Sequence, residues 1–153
     1  LLRIEDTDLE RSQESFSTQL QQDLLALDLQ WDEGPQDGQK SGQYFQSSRT
    51  SIYDDIYQKF LAEGKAYPCF CSPEKLKSIR SQQLAAGQPP RYLGTCRSLQ
   101  PKDVKDKLAA GMKASLRFVV PKNQHISFID GIRGEQKFSS DDLGDFIIRK
   151  TNG

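Results

Sequence analysis

An α/β fold is predicted for this 153-residue chain, and three observations predict it. A short apolar run, Leu1-Leu2-Arg3-Ile4, stops at the acidic cluster Glu5-Asp6-Thr7-Asp8, as a buried strand stops at a polar crevice. Phe16, Leu20, Leu24 and Leu27 then recur on one face of a helix. Ile52, Ile56 and Phe60 repeat that pattern, with Tyr53 and Tyr57 beside the stripe. A strand, a helix, a loop and a helix open a doubly wound sheet.

Each element has a local cause. Ser12 is the expected N-cap of the first helix. Trp31-Asp32-Glu33-Gly34-Pro35 ends it, and Gly34 to Gly42 is a polar loop rich in Gly and Gln. Gly64 stands where a helix-ending glycine belongs after the second helix. The composition changes at Tyr67-Pro68. Ser72-Pro73 pairs an N-cap with a proline at the first helical position, and Leu76, Ile79 and Leu84 carry a third helix to about Gly87. Gln88 to Gly94 is a loop. Asp103 to Ala110 is a short helix with Gly111 after it. Ala114 to Val120 and His125 to Ile129 are strand-like, Asp130-Gly131 is a turn pair, and a small antiparallel sheet follows. Phe146-Ile147-Ile148 is a last short strand.

Composition limits what the chain can be. Lys+Arg and Asp+Glu both number 21 and the mean hydropathy is −0.69. No apolar run approaches the roughly 18 residues that span a bilayer, so no membrane partner is expected. Fourteen aromatics spread along the chain argue against wholesale disorder. Three cysteines, an odd number, argue for a reducing compartment and against a disulfide framework. Leu1-Leu2-Arg3 is no signal peptide. The missing initiator Met and the closing turn Thr151-Asn152-Gly153 suggest a piece of a longer protein.

The balanced charge hides an asymmetry. Residues 1–66 hold 6 basic and 13 acidic side chains, net −7; residues 67–153 hold 15 and 8, net +7. A basic half of that size suits a polyanion, although two oppositely charged solvated surfaces would give the same count.

Two constellations can carry chemistry. Carboxylates just past a strand end can hold an ammonium group, or they can cap the next helix. Cys69-x-Cys71 followed by Cys96 can offer three thiolates to one metal, or can be three small buried thiols. The fourth donor is open among Ser98, His125 and Tyr92. In the basic half, Arg91, Arg97 and Arg133 lie near loops suited to phosphate contacts, whereas Lys102 to Lys107 interleaves with Asp103 and Asp106 as a solvated helix face. No phosphate-binding glycine loop and no Ser/His/Asp arrangement is present.

Together, RIEDTD (Arg3 to Asp8), WDEGP (Trp31 to Pro35), Tyr44 to Arg49, AYPCFC (Ala66 to Cys71), RYLGTCR (Arg91 to Arg97), Asp130 to Gly134 and Asp145 to Gly153 resemble the catalytic core of bacterial or organellar glutamyl-tRNA synthetases, over essentially the whole chain. The resemblance implies part of a Rossmann-type class I catalytic domain in residues 1–66 and an inserted α+β domain in residues 67–144. That insert would grip the tRNA acceptor stem, and residues 145–153 would return to the catalytic sheet. Glu5 would bind the amino group of L-glutamate. Asp8, Arg11 and Arg133 would lie near the tRNA. ATP with Mg²⁺ would serve the complete enzyme, a cytoplasmic (or organellar) monomer.

Zinc-binding members use Cys-x-Cys and Cys-x-His, and Ser98 stands at the histidine position here. A relative that glutamylates queuosine in tRNA has a tyrosine four residues before its last cysteine, which matches Tyr92. The implied Zn²⁺ site is therefore Cys69, Cys71, Tyr92 and Cys96. The HIGH and KMSKS signatures would lie outside Leu1 to Gly153, so the segment alone is expected to be inactive. Two alternatives are the queuosine-modifying enzyme and a non-catalytic acceptor-stem-binding module.

Overall fold

A computed structural model describes residues 1–8, 11–35 and 44–151. Most of the polar loop expected at Gly34 to Gly42, and the closing Asn152-Gly153, lie outside them. Helices and strands are mixed, as expected. The chain divides into two compact units, Leu1–Gln58 and Lys59–Gly153. The division falls inside a helix, several residues before the composition change at Tyr67.

In the first unit, helix α1 spans Glu14–Ala26. Its N-cap is Gln13 and not Ser12, because the backbone N–H groups of Arg11 and Ser12 close a turn on the Asp8 carbonyl and delay the helix. Leu1 to Ile4 is not a full strand. It forms one parallel bridge, in which the Ile4 N–H donates to Tyr44 O at 2.8 Å and Gln46 N–H donates to Ile4 O at 2.9 Å. The Leu2 N–H goes elsewhere, to Glu33 O, so the pairing cannot lengthen. Ile4 and Tyr44 are buried, and a Cβ on Gly34 would sit 2.4 Å from the Trp31 indole nitrogen. Of the stripe Phe16, Leu20, Leu24 and Leu27, expected to face a core, Phe16, Leu20 and Leu27 are exposed and Leu24 is half-buried.

A 3₁₀ turn at Ser47–Arg49 leads into α2, Thr50–Ala62. Gly64 takes φ +66°, and Lys65 N–H closes on Phe60 O at 2.8 Å, the left-handed glycine cap expected there.

The second unit is built on an antiparallel three-stranded sheet, β1 (Ala66–Cys69), β2 (Ser115–Phe118) and β5 (Ile147–Arg149), in the order β1-β2-β5. Pro68 is tolerated because β1 is an edge strand and a proline has no N–H to donate. The final strand pairs with β2, with a register shift between Leu116 and Arg117. Phe118 packs edge-on to Phe60 at 5.6 Å and stacks on Phe146 at 5.5 Å.

Helix α3 (Pro73–Ala85) starts on Ser72, whose hydroxyl accepts from Lys75 N–H, and α4 (Pro101–Ala109) follows. The hairpin of β3 (His125–Asp130) and β4 (Gly134–Ser139) closes where Asp130 Oδ1 accepts from both Ile132 N–H and Arg133 N–H at 2.8 Å.

Candidate functional site

In the acidic unit, Asp6 is the carboxylate that the backbone uses. It accepts from Ser47 N–H at 2.8 Å and Ser47 Oγ at 2.5 Å, pinning the first segment to the start of the 3₁₀ turn. Partial burial pushes its pKa up, but the Ser47 side-chain and backbone donors outweigh that and hold it below the ordinary value. Glu5 is exposed and pairs with Arg3 at 2.5 Å. Asp8 pairs with Arg11, whose Nε and Nη2 both donate to Asp8 Oδ2, at 2.9 and 2.5 Å. Glu5 and Asp8 thus stand on either side of a structural carboxylate, each paired with an arginine. Arg133 lies exposed at the β3–β4 turn.

The basic unit assembles the cysteine site from three separate pieces of chain. Cys69 ends β1, Cys71 follows just before the α3 cap, and Cys96 sits in the turn after Gly94 (φ +77°). The three Sγ atoms lie within 4.8 Å of one another. Tyr92 Oη is 3.3 Å from Cys69 Sγ and 3.6 Å from Cys71 Sγ, and Cys71 Sγ is 3.7 Å from Cys96 Sγ. The backbone N–H of Cys96 donates to Tyr92 Oη at 3.0 Å.

These spacings match a tetrahedral metal. Donors about 2.0–2.3 Å from one four-coordinate ion stand about 3.3–3.8 Å apart. The cysteines are free, so no disulfide competes for them. Of the three candidate fourth donors the structure brings only Tyr92 in. Ser98 is exposed, and His125 is exposed on β3 opposite Ser139.

Position 92 is held from several sides. The buried side chain of Gln83 on α3 donates to Arg91 O and accepts from Arg91 N–H, both at 3.0 Å. Gly144 leaves no room for a side chain: a Cβ there would be 2.8 Å from Tyr92 N. Burial, then the Cys69 and Cys71 contacts, push the Tyr92 phenol well above its ordinary pKa. Burial also pushes the Cys69 thiol up, but the Tyr92 hydroxyl, the Cys71 backbone and Arg117 bring it down to about 7. Cys71 is raised by burial and its thiol neighbours. A divalent ion would displace thiol and phenol protons from this cluster on binding.

Behind the site lies a polar hub that the sequence did not single out. The buried Asp145 carboxylate accepts from Tyr67 Oη at 2.7 Å and Val120 N–H at 2.8 Å, and pairs with Arg97 Nη1 at 3.5 Å. Burial, then this hydrogen bond, pushes the Tyr67 phenol up. Arg91, Arg97 and Lys122 line a cleft of about 640 Å³ beside it. The Arg91 guanidinium donates to the Asp141 carbonyl.

A mixed α/β chain whose strand-end carboxylates and four-donor cluster follow one another in this order points to an established class. The whole of residues 1–153 matches the family described as tRNA synthetases class I (E and Q), catalytic domain, and the chain belongs to that family. Among particular relatives, it is 53% identical over its full length to glutamate–tRNA ligase 2 of Coxiella burnetii and 55% identical to glutamate–tRNA ligase 2 of Nitrosococcus oceani. It spans about a third of each, 33% and 32%. The crystal structure of a glutamate tRNA ligase from Elizabethkingia meningosepticum in complex with its amino acid matches 99% of the chain and 32% of its own, at TM-score 0.83 and 31% identity. The glutamate–tRNA synthetase of Elizabethkingia anophelis matches at TM-score 0.84 and 31% identity, over 99% of this chain and 32% of its own. Among the described residues no helix is long and apolar enough to cross a membrane.

Proposed function

We propose that the protein is a glutamate–tRNA ligase, and that this segment supplies part of its catalytic domain together with its acceptor-stem module. The observation that carries the reading is similarity along all 153 residues of this chain, at up to 55% identity, to about a third of the length of proteins of that name. The reaction has two steps. The carboxylate of L-glutamate attacks the α-phosphate of ATP, held with Mg²⁺, to give glutamyl-adenylate and pyrophosphate; the terminal ribose hydroxyl of tRNA then takes the glutamyl group. Positioning and electrostatics drive such a transfer, and no covalent nucleophile is required.

Glu5 takes the substrate ammonium, exchanging its pairing with Arg3 for the ligand. The Asp8–Arg11 pair and Arg133 face the acceptor end of the tRNA. Residues 67–144 form the acceptor-stem module, which the net charge of +7 over residues 67–153 supports. Cys69, Cys71, Cys96 and Tyr92 hold a structural Zn²⁺ that fixes the turn carrying Arg97; the donor spacings support this. The protein acts as a cytoplasmic monomer.

ATP–pyrophosphate exchange with glutamate, measured on the intact protein with and without tRNA, tests the reading. Exchange that requires tRNA supports the tRNA-charging enzyme. Equal exchange without tRNA transfers the proposal to the queuosine-modifying relative, and no exchange under either condition leaves only a binding module. Glu5→Gln is expected to raise the KM for glutamate at least 10-fold, because it removes one charge-assisted contact of about 1.5–3 kcal/mol.

A further inference from the structure

Arg117 is an unusual residue for the middle strand of a small sheet. Its neighbour Leu116 is buried on one face of β2, and Arg117 is buried on the other at 6% exposure. The guanidinium carbon lies 3.7 Å from the centroid of the Tyr92 ring. Its Nη1 donates to the carbonyl of Asp145 at 2.7 Å, and its Nε has no partner among the described residues. The Asp145 carboxylate is engaged instead by Tyr67, Val120 and Arg97. A buried guanidinium with one carbonyl acceptor, the Cys69 sulfur beside it and one orphaned N–H is costly unless a nearby anion compensates it.

The donor set supplies that anion. Three thiolates and a neutral imidazole around a divalent ion leave one net negative charge; replacing the imidazole by a phenolate leaves two. A second uncompensated charge in a buried site is strongly unfavourable unless a cation stands close by. Arg117 is a buried cation in direct contact with the one donor that carries the extra charge.

We infer that Arg117 is the positioning and charge-compensating residue that lets Tyr92 serve as the fourth zinc donor. Its guanidinium, packed on the Tyr92 ring, holds that ring toward the three thiols and neutralises its phenolate once the ion is in place. The inference rests on the zinc reading above and adds a claim about partnership: Tyr92 and Arg117 form a functional pair, and a histidine donor has no need of the arginine.

The test is a double-mutant cycle on the intact protein, read as zinc retained during dialysis against graded chelator and as the absorption of the Co²⁺-substituted site. Arg117→Gln is expected to weaken zinc retention about 10–100-fold, the usual range for residues that support a metal ligand. Arg117→Lys, which keeps the charge, recovers most of that loss. In a Tyr92→His background, Arg117→Gln is expected to change retention less than about 3-fold, since the imidazole is neutral. Equal losses from Arg117→Gln in the two backgrounds overturn the pairing and leave Arg117 a packing residue. If Arg117→Gln alone does not fold, Arg117→Lys and the Tyr92→His/Arg117→Gln double variant decide: a folded, zinc-loaded double variant supports the pairing, and a zinc-free one overturns it. Wild-type protein that takes up no zinc overturns the metal reading itself, and this inference falls with it.

Discussion

The two units hold themselves together in different ways. Among the described residues of Leu1–Gln58 the ion pairs are local, Arg3 with Glu5 and Arg11 with Asp8, and the longer ties include Leu2 to Glu33, the Ile4 bridge to Tyr44 and Gln46, and the bonds of Asp6 to Ser47. Three of the four residues in the apolar stripe along α1 are exposed. Lys59–Gly153 has exposed local pairs as well, Lys65 with Glu63 and Lys137 with Glu135, but adds buried ties that reach far along the chain: Tyr67 bonds Asp145 across 78 residues, and Cys69 meets Tyr92 and Cys96 in one core cluster. The charge contrast is sharper at the structural division than at the composition change. Moving Lys59, Glu63 and Lys65 across makes it −8 against +8. The acidic unit thus leaves Glu5 exposed beside the buried Ile4 bridge. The basic unit spends buried polar groups on fixing a single loop geometry.

That contrast can be broken most severely at the thiol cluster. Cys69→Ser, at a position 2% exposed, is expected to abolish stoichiometric zinc and to produce the largest fall in thermal stability, since structural zinc contributes on the order of 10 kcal/mol of apparent binding. Metal analysis and calorimetry check both. Next is Asp145→Ala, which strands Arg97, Tyr67 Oη and Val120 N–H around a missing carboxylate. A loss of about 3–5 kcal/mol in urea unfolding is expected. Gly144→Ala follows, because the new Cβ meets the Tyr92 backbone, which the Gln83 grip on Arg91 prevents from yielding. A cost of about 1–3 kcal/mol and a measurable drop in zinc retention are expected.

The smallest effect belongs to the acidic unit. Asp6→Ala removes two hydrogen bonds at a half-buried site, for about 1 kcal/mol. The folded pKa of Asp6 lies below its ordinary 3.8, so this contribution is present above that value and lost as pH falls through the folded pKa. Urea unfolding of wild type and variant should therefore differ at neutral pH and converge in acid. A gap that persists in acid would mean that Ser47 is held by something else.

Local signals were legible in the sequence wherever the cause was local. The helix stops at Gly64, Gly87 and Gly111 all fall on φ between +66° and +76°, because only glycine takes that conformation without strain. Ser72-Pro73 starts α3 where its side-chain chemistry says it should. Ser12 failed as a cap because a turn on Asp8, invisible to helical periodicity, delayed the helix. The strand at Ala66–Cys69 was obscured by Pro68, which is acceptable only because the strand lies at an edge.

What the sequence determined by itself was inventory: which residues can be donors, where several helices stop, and that charge segregates along the chain. Spacing left the fourth donor open among Ser98, His125 and Tyr92, because ligation depends on where distant loops meet. Only the tertiary structure shows which of the three stands beside the thiols: it packs Gly144 against the Tyr92 backbone and sets the Tyr92 hydroxyl 3.3 Å from Cys69. Arg117 and Asp145 were equally hidden. A charged residue is read from sequence as solvated, and only a fold that encloses it shows which partners make its burial tolerable.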